Sequence, residues 1–191
     1  MVGRQAKILS NPQIEDLLVY ASTTRSPERN RVIVLLSVKA GLRAGEIAKL
    51  TWDMVLDPTG EVGSLIELRD HAAKRNSGRL IPIHADLRAA LAVSRDLSEG
   101  AWAVIRSERG EGMTPVSIVN WFAKAYRTIG VDGCSSHSGR RTFITRAARL
   151  VHKAGGSLRD VQLLAGHRSI QTTQRYIDGD TEAQRKLVSL I

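Results

Sequence analysis

The stretch that most constrains this chain is VIVLLSV, residues 32–38, inside a helical pattern that runs from about Glu28 to Ala40. A helix with one apolar stripe can lie on a surface, but one that is apolar nearly all round must be wrapped by other elements. The chain therefore needs several partners around this helix. Its 191 residues are enough to supply them and bury a real core.

The partners can be read on both sides. Ser10 is placed to cap a helix with Pro12 in its first turn and Ile14, Leu17, Leu18 and Ala21 on one face. Gly41 breaks the central helix, and RAGEIAKL restarts a short one with Ala44, Ile47 and Ala48 on one side. From Trp52 to Ile83 the texture changes to Asp57-Pro58, Gly60, Gly63, SLIELR and GRLIPI. That pattern predicts short antiparallel strands joined by a loop at DHAAKRNS. Helices then resume with Leu87, Ala90, Leu91 and Ser94 on one face, and next with Val119, Phe122, Ala123 and Tyr126. Another after Gly133 carries Phe143, Ile144, Ala147, Ala148 and Val151. Short helices near 158–165 and 170–178 lead to a final one, Thr181 to Leu190. The expected class is α+β, mainly helical with a small antiparallel sheet. Composition barely shifts at the Ser/Gly-bearing stretch 130–136, so residues 1–191 are expected to form one domain.

Composition narrows the function classes. No apolar run reaches membrane-spanning length, and MVGRQAKILS has no apolar stretch of signal-peptide length, so a cytoplasmic location is expected. The single Cys134 excludes an internal disulfide and a cysteine-based zinc cluster, and reads as an inert small residue. The net charge of +9 points to a polyanion, nucleic acid first and a membrane surface second. From His137 to Tyr176 there are eight Lys or Arg and one acid, which concentrates most of that charge in about a fifth of the chain. This is a footprint for phosphates. The aromatic residues are too few for a single-strand stacking platform.

Four segments hold the chemistry: AGLRAGEIAKL (40–50), AAKRNSGRLIPI (72–83), HSGRRTFIT (137–145) and LLAGHRSIQTTQRY (163–176). They offer Arg43, Lys74, His137, Arg140, His167 and Tyr176. No clustered carboxylates are present to bind paired magnesium ions, and no phosphate-binding loop of the nucleotide-hydrolysing kind occurs. The set suits metal-free attack on a phosphodiester. Guanidinium groups fork onto the non-bridging oxygens, imidazoles donate hydrogen bonds or shuttle a proton, and a hydroxyl nucleophile and a general acid complete the reaction. His137 and Arg140, three apart at a helix start, share a face. Taken alone, Tyr176 reads as a half-buried tyrosine, and Lys74, with Arg75 beside it, as a solvated loop lysine. His71, His84 and His152 read as surface or capping residues.

In order and spacing these segments resemble the catalytic domain of the tyrosine recombinases, the phage-integrase family. Gly41-Leu42-Arg43-Ala44-Gly45-Glu46-Ile47 resembles that family's first box. Lys74 precedes Arg79 by five residues and Pro82 by eight, as the family's hairpin lysine does. His137 to Arg140 is similar to its His-x-x-Arg box, and Gly166-His167 stands nine residues before Tyr176. The resemblance runs from about residue 8 to 180. It implies that Tyr176 attacks the scissile phosphate to form a 3′-phosphotyrosyl link, that Arg43 and Arg140 clamp the non-bridging oxygens, and that Lys74 protonates the departing 5′-oxygen. His137 and His167 would assist proton transfer, and Glu46 would orient Arg43. Arg75, Arg79, Arg141, Arg168 and Arg175 are assigned to DNA contacts. No metal or cofactor is expected. The implied partners are double-stranded DNA and further copies of the chain, a tetramer at synapsis, in a cytoplasmic, nucleoid-associated setting.

Two departures stand beside the catalytic positions. Gly139 falls where the family commonly has Leu, and Arg141 where many members have His. The N-terminal helical domain that usually clamps the far side of the duplex is expected to be absent. The apolar side of the final helix (Ala183, Leu187, Leu190, Ile191) leaves packing on its own domain or on a neighbour open. A catalytically silent DNA-binding regulator and a type IB topoisomerase-like enzyme are the alternative readings.

Overall fold

The computed structural model describes residues 6–74, 77–98, 100–176 and positions 185, 188, 189 and 191. Its axis is helix α2 (Pro27–Lys39), in which Val32, Ile33, Val34, Leu35, Leu36, Ser37 and Val38 are all buried. Three longer helices surround it: α1 (Asn11–Ser22), α4 (Ala85–Asp96) and α6 (Ser138–Leu150). The α1 helix begins where expected, with Ser10 Oγ accepting from Gln13 N and the Gln13 side chain accepting from Ser10 N. It buries Ile14, Leu17 and Ala21. The α4 helix buries Leu87, Ala90, Leu91 and Ser94, and His84 caps its start by accepting from Asp86 N.

At the end of α2 the chain turns through Gly41, at φ +65°, and Leu42 N–H donates back to Leu36 O at 3.0 Å. A side chain at Gly41 would strike the Phe143 ring, so both the left-handed backbone and the close approach require glycine. The short α3 (Ala44–Ala48) follows. Strands β1 (Leu65–Leu68) and β2 (Arg79–Pro82) form an antiparallel pair, with Ile66 opposite Ile81. Asp70 Oδ1 accepts from Gly78 N and ties the loop between them.

The α5 helix (Pro115–Thr128) corrects one sequence expectation. Its buried face is Ile118, Phe122, Ala125 and Tyr126, whereas Val119 and Ala123 point outward. The segment is apolar on two stripes, and the one that meets the core starts a residue earlier than expected. Helices α7 (Leu158–Ala165) and α8 (Ile170–Gln174) close the described chain. α8 ends before the expected 178, and Tyr176 lies in the turn after it. The expected final helix, 181–190, and Arg75 lie outside the described residues, apart from positions 185, 188 and 189.

The apolar interior falls into two clusters. The large one runs from Leu9 through α2, the sheet and α4 to Tyr126. The small one comprises Ile144, Ala148, Val151, Val161 and Ala165, flanked by Phe143, Ala147, Leu158 and Tyr176. The architecture is thus mainly helical with one small antiparallel sheet, as the sequence implies. Among the described residues no helix is long and apolar enough to cross a membrane.

Candidate active site

Each candidate side chain stands at an element end, where the backbone can be aimed without disturbing the core. Arg43 follows the Gly41 turn, Lys74 sits in the β1–β2 loop, and His137 immediately precedes α6. Arg140 lies in the first turn of α6, His167 follows α7, and Tyr176 follows α8. Two adjoining clefts gather them. The first, of about 400 Å³, is lined by His137, Arg140, Arg141, Arg175 and Tyr176. The second, of about 330 Å³, is lined by Arg43, Lys74, His167 and Arg168, and Thr172 belongs to both walls.

Arg140 is the buried junction of the site. Its Nη1 donates to Gly41 O at 2.6 Å, and its Nη2 donates to Ala165 O at 2.6 Å and to His167 Nε2 at 3.2 Å. It therefore joins the turn before Arg43 to the turn before His167. Because a guanidinium can only donate, His167 Nε2 must be the acceptor, and the ring proton lies on Nδ1, 3.0 Å from the buried Thr173 Oγ1. Burial lowers the His167 pKa first, and the charges of Arg140, Arg43 and Arg79 push it to about 4, so the ring is neutral near pH 7. Partial desolvation, then Arg43, Arg140 and Lys74, also lower His137. Burial, then Arg43, lowers Arg140 itself, but a guanidinium stays charged at working pH.

Tyr176 packs its ring on His167, with centroids 5.5 Å apart and planes 24° apart. The Arg141 guanidinium lies over the same ring at 5.9 Å. The α7 end that fixes His167 is closed by Gly166 at φ +62° and by His167 N–H donating to Gln162 O. Both backbone sides of His167 are held, since Gln162 Nε2 donates to His167 O at 2.8 Å.

Glu46 anchors Arg43. Its Oε1 accepts from Arg43 Nη1 at 2.6 Å, and its Oε2 from Arg43 N at 3.0 Å. Burial would raise this carboxyl, but the hydrogen bond and charge of Arg79, and then Arg43, outweigh it and hold it at about 2.

The assignment of Arg79 to DNA is corrected. Its side chain is 5% exposed, its Nη1 and Nη2 donate to Glu46 at 3.2 and 3.0 Å, and its Nε donates to Leu164 O at 2.8 Å. It faces the interior because it shares an inward strand face with Ile81, while Leu80 and Pro82 face out. That alternation was the available signal. Thr173, the partner of His167 Nδ1, was not among the candidate residues. Arg168 and Arg175 are exposed at the clefts, and Arg141 is half-buried. Among the described residues no three His, Cys, Asp or Glu are grouped to hold a metal ion.

These turns stand on a mainly helical frame with a two-stranded sheet. The chain matches the phage integrase family over residues 7–183 and belongs to it. It is similar to tyrosine recombinase XerC of Corynebacterium glutamicum, 31% identical over 176 residues, covering 89% of this chain and 54% of the relative. In fold it is similar to the XerA recombinase crystal structure (TM-score 0.75, 23% identity, 96% of this chain and 64% of the other). It is also similar to a lambda integrase dimer bound to a COC′ core site (TM-score 0.71, 19% identity, 91% and 48%). The chain spans little more than half the length of the XerC relative.

Proposed function

We propose that this chain is the catalytic part of a site-specific DNA recombinase, which cuts and rejoins duplex DNA through a 3′-phosphotyrosyl intermediate. The observation that carries this reading is the convergence of Arg43, Lys74, His137, Arg140, His167 and Tyr176 on two clefts that meet at Thr172. Tyr176 Oη attacks phosphorus and gives its proton to a histidine, for which the neutral His137 is suited. The bond from phosphorus to the 5′-oxygen breaks as that oxygen takes a proton from the Lys74 ammonium. Arg43 and Arg140 offset the charge that develops on the non-bridging oxygens. Arg141, Arg168 and Arg175 contact flanking phosphates. The phosphotyrosyl ester keeps the bond energy, so a 5′-hydroxyl can reverse the step without ATP or metal. The lambda integrase dimer held on core-site DNA supports duplex DNA as the substrate and several copies acting together. A tetramer exchanging strands in the cytoplasm, at the nucleoid, for integration, excision or inversion fits this chemistry.

The test is covalent capture. Nicked duplexes carrying candidate sites from the DNA that flanks the gene are incubated with the protein at low salt and denatured in SDS. A protein–DNA adduct is expected, undiminished by chelator and abolished in Tyr176→Phe. If no candidate site yields an adduct, or if Tyr176→Phe forms it as well as the wild type, the reading fails.

A further inference from the structure

Arg79 does something that neither a DNA contact nor simple packing explains. Among the described residues Glu46 is the one carboxylate bonded to Arg43, and both of its oxygens are shared with Arg79. The two side chains that grip it differ in exposure: that of Arg79 is 5% exposed and that of Arg43 is 21% exposed, toward the clefts that hold Lys74 and His137. Two cations therefore share one anion, with the buried cation behind it and the accessible cation in front. A carboxylate facing a single guanidinium forms a neutral bidentate pair and cancels it. A carboxylate already bonded from behind by a second guanidinium leaves the front group with net positive charge.

We infer that Arg79 is a positioning residue that keeps Arg43 available to a phosphoryl group, by acting as the counter-cation of Glu46. This rests on the recombinase reading for its biological meaning, but not for its test. Arg79 holds Glu46 from β2 through both Nη atoms, and its Nε bond to Leu164 O fixes that grip to the end of α7. Without Arg79, Glu46 turns both oxygens onto Arg43 and draws the guanidinium back from the cleft. Removing the Glu46 charge at the same time releases Arg43 again. A purely structural role predicts instead that phosphate binding merely follows thermal stability across the variants, because bonded residues such as these do not add independently.

The experiment uses the full chain and inorganic phosphate as the probe, with binding followed calorimetrically at low ionic strength. Thermal unfolding checks that each variant is folded. Arg79→Gln is expected to weaken phosphate binding by about tenfold or more, the worth of one charge-assisted hydrogen bond. The double variant Arg79→Gln/Glu46→Gln is expected to recover most of that loss. Arg79→Lys, a cation without the fork, is expected to fall between wild type and Arg79→Gln. The proposal is overturned if wild type binds no phosphate, if folded Arg79→Gln binds as wild type does, or if the double variant binds no better than Arg79→Gln. If Arg79→Gln alone fails to fold, the comparison of Arg79→Lys with Arg79→Lys/Glu46→Gln decides the same question by the same sign of rescue. Covalent DNA capture is scored separately. Phosphate binding that follows this pattern in a protein forming no DNA adduct would remove the recombinase reading and leave the Arg79 inference standing.

Discussion

His167 touches three side chains of the site. It accepts from Arg140, faces Thr173 through Nδ1 and stacks on Tyr176, and each of these contacts suits the neutral ring. A proton on Nε2 would have to point at the Arg140 guanidinium. The consequence is a measurable pH dependence. The folded-state pKa is about 4 against an ordinary 6.5. Between those values the unfolded chain binds more protons than the folded one, so stability falls as pH falls from about 6.5 toward 4. His137, lowered as well, contributes with the same sign. The lowered carboxyls act further down: Glu46 leaves an ordinary 4.5 for about 2, so its contribution is lost only at more acid pH. Melting temperatures between pH 7 and pH 5, a window set by the histidine range, are therefore expected to drop in the wild type. They should drop less in His167→Gln and least in the His137→Gln/His167→Gln pair. An undiminished slope in His167→Gln would mean that the ring is not held neutral in the fold.

Among the elements, the crossing of α6 on α2 decides where His137 and Arg140 stand. It is close because Gly139 faces Ser37: a Cβ at 139 would run into Ser37 Oγ and lie 3.1 Å from Val38 Cγ1. The family's common leucine cannot enter that gap without moving the helix that carries Arg140. Gly139→Leu is expected to destabilise the fold by about 1–3 kcal/mol, as overpacked cores do, measured by chemical denaturation. The Ser37 hydroxyl is buried and has no hydrogen-bond partner among the described residues. Ser37→Ala should therefore be neutral or stabilising by up to about 1 kcal/mol, and a clear loss would show that the hydroxyl is bonded after all. Element by element, the sequence was legible where one stripe was apolar. The α4 helix buries the four residues that its periodicity picks out, and β1 and β2 pair where the Gly-bounded runs predict. It was misread where two stripes compete. Val119 resembles Ile118 in every local respect, and the packing of α5 on α3 and α1 decides which is covered. The partner of Arg79 was beyond reach of any spacing rule, because Glu46 lies 33 residues away on another element.

At the scale of the whole molecule the site lies on a seam. Arg43 and Lys74 extend from elements packed on the large apolar cluster, whereas Tyr176 packs against the small one, and Arg140 and Arg79 link the two through hydrogen bonds. Among the described residues the small cluster has five buried members, and it contributes far less burial free energy than the core around α2. Local opening follows such differences, since segments with few buried contacts exchange at lower free energy than the global value. The segment that carries His167 and the proposed nucleophile should thus open without unfolding α2, and the position of Tyr176 should be adjustable at little cost. Native-state amide exchange tests this. Amides of α7 and α8 are expected to exchange well before those of α2, and inorganic phosphate should slow them selectively, because an oxyanion bridging Arg43 and Arg140 binds only the closed seam. Equal protection of α7 and α2 would mean that one cooperative core holds both halves. Protection of α7 and α8 that phosphate leaves unchanged would mean that the anion does not span them. If both expectations hold, the hydrogen bonds of Arg140 and Arg79 across the seam are what set the proposed nucleophile, Tyr176, against the proposed phosphate clamp of Arg43 and Arg140.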